Sequence, residues 1–211
     1  SVETEYVVFL DADDLLLPGS LAHLIGGLAR HARASAFVGR IVEIDGAPHR
    51  TPRMVSRILA RAPGAFAWAN ATWSLAPIQG CAVMRTATVR QCRGYPDASS
   101  GEDWALGASL AFRGPIAFDD TAVLVYRLRP DSPGAADIAP RRVLLENARR
   151  IRDRLRTDSA VDAGHLKLQI LRLAQLLAVD LIQPTVKHIR AAAERSGSGA
   201  RTHAVETETA A

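Results

Sequence analysis

Lysine is nearly missing from this chain. Of its 26 cationic residues only Lys167 and Lys187 are lysine, and none occurs before position 167. An arginine bias of this kind follows genomic composition as readily as function, so a formal net charge of +4 does not by itself point to an acidic partner. Cysteine is almost absent too: Cys81 and Cys92 form neither a metal-binding spacing nor a disulfide framework. A reducing compartment, the cytoplasm, is therefore the expected setting. No apolar run approaches the length of a membrane span, and no RNA-binding motif or aromatic interleaving of the basic residues supports a nucleic-acid partner. A starting methionine is also missing, and Ser1 stands only a few residues before an apolar strand, which leads to the expectation of a fragment. The 211 residues, 48% apolar, suit one domain with a real core and an appended helical segment.

The most informative stretch is Tyr6-Val7-Val8-Phe9-Leu10 running into Asp11-Ala12-Asp13-Asp14. A short continuous apolar run predicts a strand buried on both faces, as in a parallel sheet. In open α/β sheets ligands bind beyond the carboxyl ends of such strands, which is where the acids fall. Carboxylates this close repel one another unless a cation sits among them, and hard oxygen ligands suit magnesium or manganese. Solvation of the strand end with capping of the next helix is the plainer reading, but one Asp would suffice for it. An EF-hand is excluded, because Leu16 and Ala22 stand where that loop needs Gly and Glu.

Further along, Pro18 suits a first helical turn, and Leu21, Leu24, Ile25 and Leu28 form a helical stripe. Gly26-Gly27 weakens its regularity. Residues 37–44 predict a strand and Asp45-Gly46 a hairpin turn. Met54, Val55, Ile58 and Leu59 predict a short helix. Residues 62–77 show no period; the aromatics there, Phe66, Trp68 and Trp73, are read as core rather than as a stacking platform. Residues 78–85 predict a strand, with Thr86 capping a short helix that Gly94 ends. Gln79 and Gly80 fall on that strand, near the crevice. Gly101-Glu102-Asp103-Trp104 opens a further helix closed by Gly114. Its acids could simply answer the helix dipole, at about 0.3–1 kcal/mol each. From Pro140 the character changes: Leu144, Ala148, Ile151 and Leu155 mark one helix face, amid seven arginines between 141 and 156. A solvated face is the usual explanation, and a basic helix on an anionic membrane the sharper one. Residues 166–182 predict a packed apolar-rich helix, broken at Pro184, and 196–211 a disordered tail.

Three ordered motifs carry a resemblance. The segment from Phe9 to Asp14, followed by Pro18 and Leu21, looks like the Asp-x-Asp segment of family 2 glycosyltransferases, inverting enzymes of the GT-A fold. Downstream come Gly101-Glu102-Asp103-Trp104 at a helix start and Val123-Leu124-Val125-Tyr126-Arg127 as a strand ending in Tyr-Arg. Between them, a small-residue strand ending at Arg85 and the run Cys92-Arg93-Gly94-Tyr95-Pro96-Asp97 are similar to the same family. The resemblance covers Tyr6 to Arg127.

It implies an α/β, GT-A-like mixed sheet flanked by helices. Residues 1–139 would form the C-terminal part of that domain, with its N-terminal part missing, followed by a helical extension over 140–195. The partner strand would precede Ser1, leaving Tyr6 to Leu10 at an unpaired edge. The implied reaction moves a sugar from a nucleotide-diphosphate sugar to an acceptor hydroxyl, on a glycan or a lipid-linked acceptor. Asp103 would be the general base and Glu102 would orient the acceptor. Asp13 and Asp11 would bind Mn2+ or Mg2+. Asp14, Trp104, Arg127 and Arg129 join Gln79 and Gly80 as substrate contacts, and Arg129 stands where many relatives carry His. Two other readings stay open. A haloacid-dehalogenase-like phosphatase would use Asp11 as nucleophile and Asp13 as acid, but the missing lysine and Leu15 count against it. A non-catalytic remnant would serve as a binding module. Peripheral membrane contact would run through the Arg-rich helix 141–156.

Overall fold

The computed structural model describes residues 2–43, 54–76, 78–98, 100–126 and 140–182. Strands β1 (Tyr6–Val7), β2 (Leu15–Leu16), β3 (Ala36–Glu43), β4 (Ala82–Arg85) and β5 (Ile116–Tyr126) form one mixed sheet in the order β1-β4-β3-β5-β2. β3 and β5 run parallel, with Phe37 opposite Ala117 and Ile41 opposite Leu124. β4 is antiparallel to both β1 and β3, and β2 is antiparallel to β5. β1 is therefore an edge strand, as the resemblance implied. It is only two residues long, half-buried and paired antiparallel, which corrects the expectation of a strand buried on both faces in a parallel sheet.

Helices α1 (Ser20–Arg30), α2 (Met54–Leu59), α3 (Pro63–Thr72), α4 (Thr86–Gln91) and α5 (Glu102–Ala111) surround the sheet. In α1, Leu24 and Leu28 are fully buried while Leu21 is 48% exposed, so the predicted stripe holds only in part. The Gly26-Gly27 pair has a packing reason: a Cβ at Gly27 would stand 2.4 Å from the Phe37 ring, so glycine lets helix and sheet close up. Residues 63–72 are helical where no period was visible. Alanine dominates the segment, and a helix of small residues shows little contrast between its faces. Its buried residues, Phe66, Ala67, Asn70 and Ala71, support a core role for Phe66, and Trp68 stacks edge-on with Phe112 at 5.0 Å. β4 is shorter than predicted because residues 79–81 form a turn. Thr86 is the first residue of α4 rather than its cap, and its buried hydroxyl has no partner among the described residues. Asp45-Gly46 and the tail 196–211 lie outside the described residues.

Helices α6 (Arg141–Arg156) and α7 (His165–Leu177) follow, and α7 runs on into a π-helical turn, Ala178–Ile182. Two apolar clusters result. The sheet core holds Leu24, Leu28, Phe37, Phe66, Met84, Leu106, Leu110 and Leu124. The helical core holds Trp104, Ala105, Ala108, Ala148, Ile151, Leu155 and Leu171. Helix α5 lies between them, buried without interruption from Trp104 to Ala111. Among the described residues, no helix is long and apolar enough to cross a membrane.

Candidate active site

Strand directions place the first acidic segment. β1, β3 and β5 point the same way and β4 the opposite way, so the loop from Val8 to Asp14 lies beyond the carboxyl ends of three strands. That is the position at which α/β sheets bind ligands. The loop crosses from β1 on one sheet edge to β2 on the other. Its turn is closed by the Asp14 N–H donating to the Asp11 carbonyl at 3.2 Å. Asp11 and Asp13 are half-buried, while Asp14 is 6% exposed.

The turn before β4 pins this loop. The Gly80 N–H donates to the Phe9 carbonyl at 2.6 Å, and Gln79 Nε2 donates to Asp11 Oδ1 at 2.5 Å. The two pocket candidates thus stand beside the first acidic segment, on a turn rather than on a strand.

The second acidic segment starts α5. Gly101 caps it with φ 71°, a left-handed conformation that glycine adopts without penalty. A side chain there would also strike Asn147 of α6, 2.4 Å from a built Cβ. Glu102 and Asp103 occupy the first turn, favoured by the helix dipole, and Asp103 Oδ1 accepts the Trp104 N–H at 2.7 Å. Trp104 is 6% exposed, packed in the helical core, with Nε1 donating to the Asn70 carbonyl at 2.6 Å. Little of the ring is left open for the expected substrate contact.

Two side chains report that the acidic segments converge. The Tyr95 ring packs on Phe9 with centroids 4.6 Å apart. Its buried hydroxyl has no hydrogen-bond partner among the described residues. Burial pushes its phenol well above the ordinary range, and the charges of Asp103, Glu102 and Asp11 add to the effect. The buried Cys81 thiol is pushed up to about 12, mainly by burial, with Asp103 and Asp14 contributing. Carboxylates from both segments therefore lie within electrostatic range of the same pair of residues. Sequence reasoning noted Tyr95 only within a glycine–aromatic run and gave it no role. Nothing local to that run shows that its ring reaches across to Phe9.

Arg127 and Arg129 lie outside the described residues. Among the described residues, no group of three or more His, Cys, Asp or Glu side chains is arranged to hold a metal. Asp11 and Asp13 are two half-buried carboxylates in one loop, and magnesium is commonly held by one or two carboxylates with substrate phosphates and water completing the shell. A separate cleft of about 460 Å³ is lined by Arg93, Arg113, Arg154 and Asp158 among others and touches neither acidic segment.

No protein-family model matches the sequence, and no curated protein matches it significantly. Solved structures do resemble it. Residues 1–349 of S. aureus TarS in complex with UDP-GlcNAc superpose with a TM-score of 0.55 at 17% identity, over 83% of this chain and 48% of that one. The same protein in complex with UDP gives a TM-score of 0.53 at 17% identity, over 84% and 47%. This likeness establishes the GT-A-like α/β fold that the sequence motifs implied. The chain spans less than half the length of these solved chains.

Proposed function

We propose that this chain carries the acidic half of a nucleotide-sugar-dependent, inverting glycosyltransferase. The observations that carry the reading are the acidic loop 11–14, pinned beyond the carboxyl ends of the strands by Gln79, and Tyr95, which packs on Phe9 of that loop and lies within electrostatic range of Glu102 and Asp103. The likeness to a protein solved with UDP-GlcNAc and with UDP supports the choice of donor class. In this reading the acceptor hydroxyl oxygen attacks the anomeric carbon while the bond from that carbon to the phosphate oxygen breaks. The nucleoside diphosphate leaves with the bonding electrons, and Asp103 takes the acceptor proton. Glu102, one residue earlier on the same helical turn, orients the acceptor, which is a glycan or a lipid-linked sugar. Gln79 holds the Asp11 carboxylate in place, and Arg127 and Arg129 would serve as substrate-binding cations. Asp11 and Asp13 would hold a Mn2+ or Mg2+ ion, which as a Lewis acid stabilises the departing diphosphate by several kcal/mol.

In the complete protein, Asp103→Asn should lower transfer by about 10²–10⁴-fold, the range for removing a general base. Calorimetric titration with UDP-GlcNAc and manganese should show donor affinity retained. Near-normal turnover would remove Asp103 from the mechanism. Transfer that survives chelation would remove the metal from it.

A further inference from the structure

Helix α7 has two apolar faces with different fates. Leu171, Gln175, Ala178 and Val179 are buried, and Gln175 is tied to the Ala71 carbonyl at 2.9 Å and to Arg152 of α6 at 2.5 Å. On the other face Leu166, Ile170, Leu173 and Leu177 are 72, 57, 60 and 59% exposed. Steps of four, three and four keep these side chains on one side of the helix. At 1.5 Å per residue they form a strip about 17 Å long. The expectation that this helix is simply packed is thus correct for one face only. Nor can α6 supply a second apolar strip, because its Ala148, Ile151 and Leu155 are spent in the helical core. Membrane contact through α6 alone, as the sequence suggested, therefore lacks an apolar component.

Charge decides what the strip faces. Residues 140–182 hold nine arginines and lysines against five acids, which accounts for the whole formal excess of +4. Arg142, Arg149 and Arg156 of α6 are exposed and have no ion-pair partner among the described residues. Arg172 of α7 is exposed as well, and its charge reaches Arg152 of α6. The two helices are joined by Arg152 to Gln175, and Arg141 ties α6 to Asp180 in the π-helical turn beyond α7, at 2.7 Å. An apolar strip beside a cationic helix is the combination that binds anionic lipid. A second copy of the chain would instead bring two cationic units together along a seam one helix wide.

We propose that α7 seats this protein on an anionic lipid surface. Leu166, Ile170, Leu173 and Leu177 enter the boundary between headgroups and acyl chains, and the arginines of α6 rest on lipid phosphates. The proposal does not depend on what the acidic site transfers. Its test is co-sedimentation of the full chain with phosphatidylcholine–phosphatidylglycerol vesicles and with phosphatidylcholine vesicles alone. Binding should require the anionic lipid and weaken with salt. Ile170→Glu/Leu173→Glu should weaken it at least about tenfold, since each side chain loses its apolar burial, with an unchanged melting curve by circular dichroism. Arg142→Gln/Arg149→Gln/Arg156→Gln should weaken it by roughly fivefold per residue. The proposal is overturned if the chain ignores anionic vesicles at low salt, or if the leucine-strip variant binds them as well as the parent. It is equally overturned if light scattering shows a dimer that the same variant converts to monomer without any lipid binding by the parent, which would make the strip a contact between copies.

Discussion

Helices α5 and α7 are both apolar on opposite sides, yet one is enclosed and the other is not. α5 runs between the sheet core and the helical core, with eight consecutive buried residues from Trp104 to Ala111. α7 has a cover on one side and an exposed aliphatic strip on the other. A helix that is apolar all round must be covered all round, so the same composition marks an internal strut in α5 and an outward contact in α7. The difference also bears on the site. Glu102 and Asp103 stand at the start of α5, within electrostatic range of Tyr95, and the two cores that clamp the helix hold that start in place.

The clamp can be broken most sharply at its far end. Arg113, just after α5, makes a two-pronged pair with Asp158, both prongs at 2.7 Å, with side chains 10% and 7% exposed. Asp158→Ala should cost about 3–5 kcal/mol in urea denaturation, because it leaves a buried guanidinium uncompensated. Burial pushes the Asp158 carboxyl up, but its bonds from Arg113 and Ala160 outweigh burial and hold it below the ordinary range. Its contribution is therefore complete above the unfolded carboxylate value of about 3.9 and is lost as pH falls through the lower folded value. The parent should be more stable than Asp158→Asn above that window and approach it below, so that the slopes of stability against pH differ only within the window.

Two leucines give the next contrast. Leu110→Ala removes a fully buried side chain and should cost about 2–5 kcal/mol. Leu173→Ala should change stability by no more than about 0.5 kcal/mol, as for other surface positions. A large loss at Leu173 would mean that something covers α7 and would erase the comparison. Gly101→Ala should cost about 1–3 kcal/mol, because it forces a side chain into a left-handed conformation against Asn147. Cys81 and Cys92 give the smallest effect. Burial pushes their thiols up to about 12 and about 11, so a thiol reagent at neutral pH should leave both unmodified until the protein unfolds.

Much of this molecule was legible from local sequence. The acidic segment after an apolar run, a helix soon after Pro18, the helix start at Glu102 and the helix after Pro140 depend on contrast between neighbouring residues, which periodicity and capping chemistry expose, although Pro18 itself precedes α1 rather than lying in its first turn. α3 was hidden because alanine supplies little contrast, and the burial of Trp104 in the helical core was hidden because burial of one aromatic depends on which helix lies above it. The exposure of the α7 strip was invisible for the same reason. Leu171 and Leu173 are the same residue type two positions apart, yet one is 2% and the other 60% exposed.

What the chain determined by itself is which residues alternate, which repeat at helical spacing, and where carboxylates are concentrated. Tertiary structure alone decided that the segments around Asp11 and Asp103, about ninety positions apart, lie within electrostatic range of the same tyrosine. It alone decided that α5 is closed in while α7 faces outward. Local sequence sets the pattern of each element, but the partner of a face is another element, and only the packing of the whole chain supplies it.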